Sequence, residues 1–394
     1  MDVESYNSER NRYDYLCAVC SILQAMRKTY NQRHITLRSL YFRWRRLKYP
    51  ALSFGVLLSC LFVGCSTEDD YTADPKRNFR ALWEILDKGY CYFDLKLPQD
   101  STWEDLYEKH IQQVRPDMTT DELFRKMSDL IRELRDGHVN IITPFDYGRY
   151  WGWKENYPTS LNTYVRGKYL GRDYRIAGGL NYERIRYNNH EKDSVALIVY
   201  NSFSYPVSHA NINAALSRLA DCKGIIFDIR ENGGGNVNLS DRLASHFVRE
   251  KTLTSYMRHK TGPGHNDFSS PRAMYIEPVT RGVRWYRPVV LLVDRGVYSA
   301  ANDFVLKMKD IPHVLVLGDT TGGGAGMPMS SELPNGWGVR YSASRTLDKN
   351  MQDVEFGISP HKRLPFSEEE AASGRDNLIE AGIEHIRQEW ERLR

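Results

Sequence analysis

Three stretches of this chain combine glycine with polar residues in a way that could do chemistry, and each follows an apolar run. The first is Asp228-Ile229-Arg230-Glu231-Asn232-Gly233-Gly234-Gly235-Asn236. Consecutive glycines ahead of a helix expose backbone N–H groups, which can bind a phosphate or a developing oxyanion. The Gly-Lys-Ser/Thr ending of a P-loop is missing, and a plain turn is the other reading. The second runs from Val293 to Phe304, with Ser299 between Tyr298 and Ala300-Ala301. A serine just after a buried strand, followed by small residues and a helix, is well placed as a nucleophile, because the helix N-terminus stabilises negative charge. A helix N-cap is the commoner use of such a serine. The third, Gly318-Asp319-Thr320-Thr321-Gly322-Gly323-Gly324-Ala325-Gly326, by itself implies only close backbone approach.

These segments need strands to position them. Apolar runs at 195–199, 224–229, 288–293 and 314–317 alternate with helices expected over 208–220, near 238–249 and after Ser299. Continuous apolar strands separated by helices imply an α/β fold with a parallel or mixed sheet. In such sheets the chemistry gathers at the carboxyl ends of the strands. Upstream, Phe79, Leu82, Trp83 and Leu86 recur at helical spacing. A second helix is expected near 103–114, capped by Ser101 or Thr102. A third starts after Thr119-Thr120-Asp121-Glu122 and carries Leu123, Met127, Leu130, Ile131 and Leu134. Gly89 is expected to end the first. The expected organisation is an extension and export signal over 1–65, a tether over 66–77 and a small N-terminal helical domain over 78–138. A β-rich connection over 139–195, the principal α/β domain over 196–365 and a C-terminal helix over 366–394 follow. The connection is too short for a PDZ domain and lacks the carboxylate-binding loop of one.

The 394 residues are 41% hydrophobic and 26% charged, with a net charge of +4. Much of the positive excess precedes residue 50, as in Arg43-Trp44-Arg45-Arg46-Leu47-Lys48, so no nucleic acid is expected as a partner. An uncharged run from Ala51 to Gly64 follows, too short to span a bilayer comfortably but right for a signal peptide. It ends at Gly64-Cys65, and Ser66-Thr67-Glu68-Asp69-Asp70 follows. A small residue before cysteine resembles the bacterial lipobox, which makes Cys65 the lipidation candidate. The acidic cluster resembles the surface-export signal of Bacteroidetes lipoproteins. Leu57-Leu58-Ser59-Cys60 competes with it, and a short membrane anchor is the bland alternative. Both place the bulk of the chain outside the cytoplasm; the lipobox implies an outer-membrane lipoprotein, periplasmic or surface-exposed, with a lipid anchor. The polar stretch upstream is unusual before a signal peptide, and a misassigned start codon would account for it. Cys17-Ala-Val-Cys20 has no second ligand pair, so no zinc is expected there. Cys91 and Cys222 could pair, but two buried thiols are the preferred reading. No His-Glu-x-x-His or other ligand cluster occurs, and neither metal nor cofactor is expected.

Taken together, five segments resemble the S41 peptidases, the C-terminal processing and tricorn-type family, from about Phe79 to Pro360. They are Leu134-Arg135-Asp136-Gly137-His138-Val139, Asp228 to Gly235, Tyr298-Ser299-Ala300-Ala301, Gly318 to Gly323, and Glu355-Phe356-Gly357-Ile358-Ser359-Pro360. The resemblance implies a ClpP/crotonase-like catalytic core and a serine endopeptidase acting on proteins or peptides. Ser299 would be the nucleophile, with an oxyanion hole of the Gly234 and Ala300 N–H groups. The processing branch pairs its serine with a lysine, and the position of that lysine is Gly324 here. The tricorn branch uses a histidine, which falls on His138, supported by a glutamate matching Glu355, with Asp353 as fallback. The serine that precedes the tricorn base is Gly137 here. His138 could instead cap a helix C-terminus. As a base it would give an acid-side activity loss near the ordinary imidazole pKa, about 6 to 7. A catalytically silent peptide- or ligand-binding lipoprotein on the same scaffold is the rival reading.

Overall fold

The computed structural model describes residues 71–187 and 190–393. The basic stretch, the apolar run and Cys65, with Cys17, Cys20 and Cys60, lie outside the described residues. Four helices come first: α1 (Pro75–Gly89), α2 (Phe93–Lys96), α3 (Trp103–Ile111) and α4 (Thr120–Arg132). Thr102 with Asp105 and Thr119 with Glu122 form reciprocal capping boxes at the starts of α3 and α4. Gly89 closes α1 where a β-carbon would lie 2.4 Å from the Tyr341 ring. The apolar faces bury Phe79, Leu82, Leu86, Met127 and Leu130 in one core with Trp337, Val339 and Tyr341. The helical segment thus completes its core against a β-hairpin far along the chain.

The segment read as β-rich contains β1 (Asn140–Ile142), β2 (Tyr147–Gly148), α5 (Gly152–Glu155), α6 (Thr163–Leu170), β3 (Arg175–Ala177), β4 (Leu180–Tyr187) and most of β5 (His190–Val199). Two short helices interrupt the strands there. Next come α7 (His209–Arg218), β6 (Gly224–Asp228), α8 (Val237–Ala244), β7 (Thr252–His259), β8 (Arg272–Ile276), β9 (Val289–Val293) and α9 (Ala300–Lys309). The chain ends with β10 (Val314–Gly318), β11 (Met327–Glu332), β12 (Gly338–Leu347), β13 (Lys362–Arg363), α10 (Glu368–Ala372) and α11 (Asn377–Arg392). Among the described residues, no helix is long and apolar enough to cross a membrane.

The main sheet has the order β13-β10-β9-β6-β5-β4-β3. Its first five strands run parallel, and β4 and β3 add an antiparallel edge. Helices cover both faces, so β6 and β9 are buried along their whole length. Ile225 and Phe227 face one core with Leu216, Leu243 and Phe304, whereas Ile226 faces the other with Ile379, Ile383 and Ile386. That alternation is the two-residue period of a strand. Each such side chain, once buried, stabilises the fold by about 1.5–3 kcal/mol. The second sheet is antiparallel, in the order β2-β1-β12-β7-β8, with β11 also paired to β12. Cys91 belongs to the helical core and Cys222 to the core beneath α7, α8 and α9.

Candidate active site

The loops after β6, β9 and β10 converge at the carboxyl ends of the parallel strands. Ser299 sits at φ 57°, ψ −122°, a backbone conformation that residues with a β-carbon rarely adopt. Three main-chain hydrogen bonds hold the loops around it. Ser299 N–H donates to Gly323 O at 2.8 Å, Gly322 N–H to Val297 O at 2.7 Å, and Tyr298 N–H to Asn232 O at 3.0 Å. Ser299 occupies the N-cap position of α9, yet its side chain makes no capping bond. Its Oγ lies instead 3.0 Å from Nε2 of His138.

His138 comes from the loop between α4 and β1. The helix has already ended at Arg132, so the ring does not cap it. Asp136 Oδ1 accepts the His138 backbone N–H at 2.7 Å, and Oδ2 accepts Tyr90 Oη at 2.9 Å and Ser342 Oγ at 3.3 Å. Burial lowers the His138 pKa to about 4, against the pull of the Asp136 charge, and Arg340 and Lys96 lower it further. The acid-side pKa expected from an ordinary imidazole is therefore replaced by a lower one. The Nδ1 atom is buried with no hydrogen-bond partner among the described residues.

Glu355 and Asp353 do not supply that partner. Glu355 pairs through Oε1 with Lys96 Nζ at 2.8 Å, and its Oε2 accepts the Ala325 N–H at 2.8 Å. Burial, then the Asp136 charge, push its pKa upward, and Lys96 and the Ala325 N–H oppose the shift. With the Lys96 cation beside one oxygen and the Ala325 N–H on the other, the ionised form fits the geometry. Asp353 lies beside Arg345, at 3.6 Å. The structure joins Ser299 to His138 and joins neither acid to the imidazole.

Of the two N–H groups expected to hold an oxyanion, that of Ala300 opens α9 and has no acceptor within the helix. The Gly234 N–H donates to Asn232 Oδ1 at 3.0 Å. Gly235 lines the cleft with Ser299, and its N–H makes no hydrogen bond among the described residues. Only glycine fits at Gly234: φ is +93°, and a β-carbon would lie 2.5 Å from Tyr298 O and 2.8 Å from Ala300 N. Behind this loop, the fully buried Arg230 donates to Asp228 at 2.7 Å and to Asp376 at 2.9 Å. Asp376 also caps α11, so the C-terminal helix anchors the glycine loop.

Several residues of the site carried no readable signal. The Trp153 ring stacks on Tyr298 at 4.0 Å, and the Tyr298 ring centroid is 5.0 Å from that of His138. A β-carbon on Gly137 would lie 2.6 Å from Trp153 Nε1 and 2.9 Å from Tyr298 Oη, which leaves no room for a serine. A β-carbon on Gly324 would lie 2.2 Å from the Tyr298 ring, so an aromatic side chain fills the place of the processing branch's lysine. Lys307 pairs with Asp303 and Asp241, and despite burial these charges raise its pKa. A cavity of about 610 Å³ beside Tyr286, His313 and His385 is not lined by Ser299 or His138. Ser299 lines two others, of about 480 and 470 Å³.

The profile of Peptidase family S41 matches residues 194–364, and that of the Tricorn protease C1 domain matches residues 71–132. A candidate peptidase of known structure from Parabacteroides merdae is 44% identical, with a TM-score of 0.74 over 80% of this chain and 97% of that one. The chain belongs to peptidase family S41. Its S41 relatives include the chloroplast C-terminal processing peptidase of Tetradesmus obliquus, 28% identical over 36% of this chain and 28% of that protein. The matches to the curated relatives span less than a third of the length of those proteins. Mature CPAF, at 12% identity, shares the fold with a TM-score of 0.55 over 74% of this chain and 93% of that one.

Proposed function

We propose that this S41 member is a serine endopeptidase in which His138 takes the proton of Ser299 as Oγ attacks a peptide carbonyl. The observation that carries the reading is the 3.0 Å contact between Ser299 Oγ and His138 Nε2. The unstrained alternative for such a serine, a capping bond, is not made. The tetrahedral oxyanion binds the Ala300 N–H and one N–H of the glycine loop; Gly235 is the better candidate, because Asn232 holds Gly234. The imidazolium passes its proton to the leaving amine, and water cleaves the acyl-enzyme. Lys307 is not the base, since its charge is matched by Asp241 and Asp303. Glu355, with Lys96, positions the loop of Ala325 instead of touching the ring. The names of the S41 relatives support peptide-bond hydrolysis.

The test is labelling by a fluorophosphonate together with turnover of a peptide library. Wild type is expected to label and cleave, and Ser299→Ala to do neither. The second reading, a silent peptide-binding protein, draws on the unpartnered Nδ1 of His138. An unlabelled wild type that still binds peptides would establish it. The protein is further proposed to be a lipoprotein anchored through Cys65, working in the periplasm or at the cell surface of a bacterium. Cys65→Ala should then leave the membrane fraction, whereas release by Cys60→Ala alone would move the anchor to Cys60.

A further inference from the structure

Two turns meet beside Tyr71, which leads into α1. The Thr72 N–H donates to Pro334 O at 3.0 Å. Asn78 Nδ2 donates to Thr72 O at 2.8 Å, and Asn78 Oδ1 accepts the Asn335 N–H at 2.9 Å. Tyr71 therefore stands next to the tight turn between β11 and β12, where the Gly336 N–H returns to Leu333 O. Trp337, at the end of that turn, lies 5.8 Å from the ring of Phe145, in the turn between β1 and β2. Ile142 stands opposite Gly338 across β1 and β12.

This end of the molecule exposes apolar side chains together. Tyr71 is 78% exposed, Phe145 50% and Ile142 42%, and Pro144 is exposed as well. The rings of Phe124 and Trp337 back the Phe145 ring, so packing holds its outer half toward solvent. Grouped exposure of this kind marks a contact surface. The charges nearby come close to balancing: exposed Lys76 and Arg77 against exposed Asp74, Asp146 and Glu332. Asp74 and Asp146 already accept main-chain N–H groups, from Arg77 and Tyr147. A face with so little net charge has no strong pull on a charged partner. Apolar and aromatic side chains on fixed turns suit the interfacial layer of a bilayer, between headgroups and acyl chains.

The occupant follows from chain length, and this step rests on the lipoprotein reading above. Six residue steps separate Cys65 from Tyr71. Fully extended, six residues reach at most about 20 Å. A compact domain of this length is roughly 50 Å across, so an anchor at Cys65 brings the Tyr71 end to the bilayer and keeps the far end away. A tether also raises the effective concentration of bilayer at that face, so a contact too weak to form alone becomes occupied.

We propose that the end formed by Tyr71, Ile142, Pro144 and Phe145 rests in the interfacial layer of the membrane that carries the lipid anchor. The β1–β2 turn continues into Tyr147, Arg149 and Trp151, which line the cleft of Ser299 and His138, so that cleft adjoins the bilayer face.

The test uses the full lipidated chain in vesicles of phosphatidylcholine and phosphatidylethanolamine. Phe145→Cys and Tyr164→Cys variants react with a water-soluble maleimide, and peptide mass spectrometry reads the rate at each site. Tyr164, on α6 and 75% exposed, is the control, and Cys91 and Cys222 are buried. The reference is the same two variants carrying Cys65→Ala, in buffer. Relative to position 164, position 145 should react about tenfold more slowly on vesicles than in the reference, and added salt should not change this. Unchanged relative rates, in protein whose Cys65 carries lipid, would overturn the proposal and leave the lipoprotein reading standing. Protection of position 145 in the reference that grows with protein concentration would assign the face to a second copy of the chain and also overturn it. A Cys65 without lipid would overturn the lipoprotein reading. Flotation of that unlipidated chain with the vesicles, lost in Phe145→Ser, would then support the bilayer face by itself, and no flotation would overturn it.

Discussion

The two halves of the site are built differently. Ser299 follows a strand buried along its whole length, and its loop is fixed by main-chain hydrogen bonds to the loops on either side. His138 precedes the three-residue β1 and is held by side chains: the Asp136 carboxylate on its N–H, and the Tyr298 ring beside it, itself stacked on Trp153. The position of Ser299 depends on the path of the backbone, which glycine and strand patterns encode. The position of His138 depends on packing among residues brought together from separate elements. Substitutions on the two sides should therefore fail in different ways.

The largest effect should come from the two groups proposed to react. Ser299→Ala and His138→Ala should each lower kcat by about 10⁴-fold or more, because residues that act as a unit are lost as a unit. Main-chain bonds hold the serine loop, so the Ser299→Ala protein should melt within a few degrees of wild type. Full turnover in His138→Ala would place the base elsewhere.

Next comes the backbone side. Arg230→Met leaves Asp228 and Asp376 buried without their cation, which should cost about 3–5 kcal/mol in chemical denaturation. A loss below about 1 kcal/mol would mean that the C-terminal helix does not anchor the glycine loop. Gly137→Ser probes the packing side. Its β-carbon meets Trp153 and Tyr298, so the rings that position His138 must shift. A displaced base should lower kcat by about 10- to 100-fold while changing stability by only about 1–3 kcal/mol. A gain in kcat would show that the rings yield and that the added hydroxyl helps.

The same contrast explains what could be read from residues alone. Val289–Val293 and Gly224–Asp228 are apolar runs bounded by glycine and polar residues, and they are the strands that aim the Ser299 and glycine loops. Thr102, one of two cap candidates with Ser101, and the Thr119–Glu122 spacing marked the starts of α3 and α4. β11 was not legible, because Met327-Pro328-Met329-Ser330-Ser331-Glu332 is largely exposed and shows no apolar alternation. Glu355 was placed by its position in a motif, and motif position cannot say which way a carboxylate points; the buried Lys96, far away in sequence, takes one of its oxygens. Arg149 and Trp153 lay in the stretch legible only as a β-rich connection, since a cleft wall has no periodicity.

The smallest effect expected concerns pH, and it tests the packing side without a mutation. An exposed imidazole protonates near pH 6.5, and a protonated ring cannot take the Ser299 proton. Burial disfavours the charged ring and brings the His138 pKa down to about 4, more than the Asp136 charge restores. A lowered pKa keeps the base neutral further into acid, so activity is present above the folded-state value and lost as pH falls through it. Between pH 7.5 and 5.5, kcat/KM should change by less than about twofold, then fall about tenfold per unit below pH 4. A fall centred near 6.5 has two sources that must be separated. Either the ring is open to water in solution, or protonation of Glu355, whose pKa burial raises, breaks its pair with Lys96. Glu355→Gln decides between them. It removes the second source and leaves the first, so a limb that persists near 6.5 in that variant would show that His138 is not held in a dry pocket. A limb that moves to lower pH would assign the titration to the glutamate.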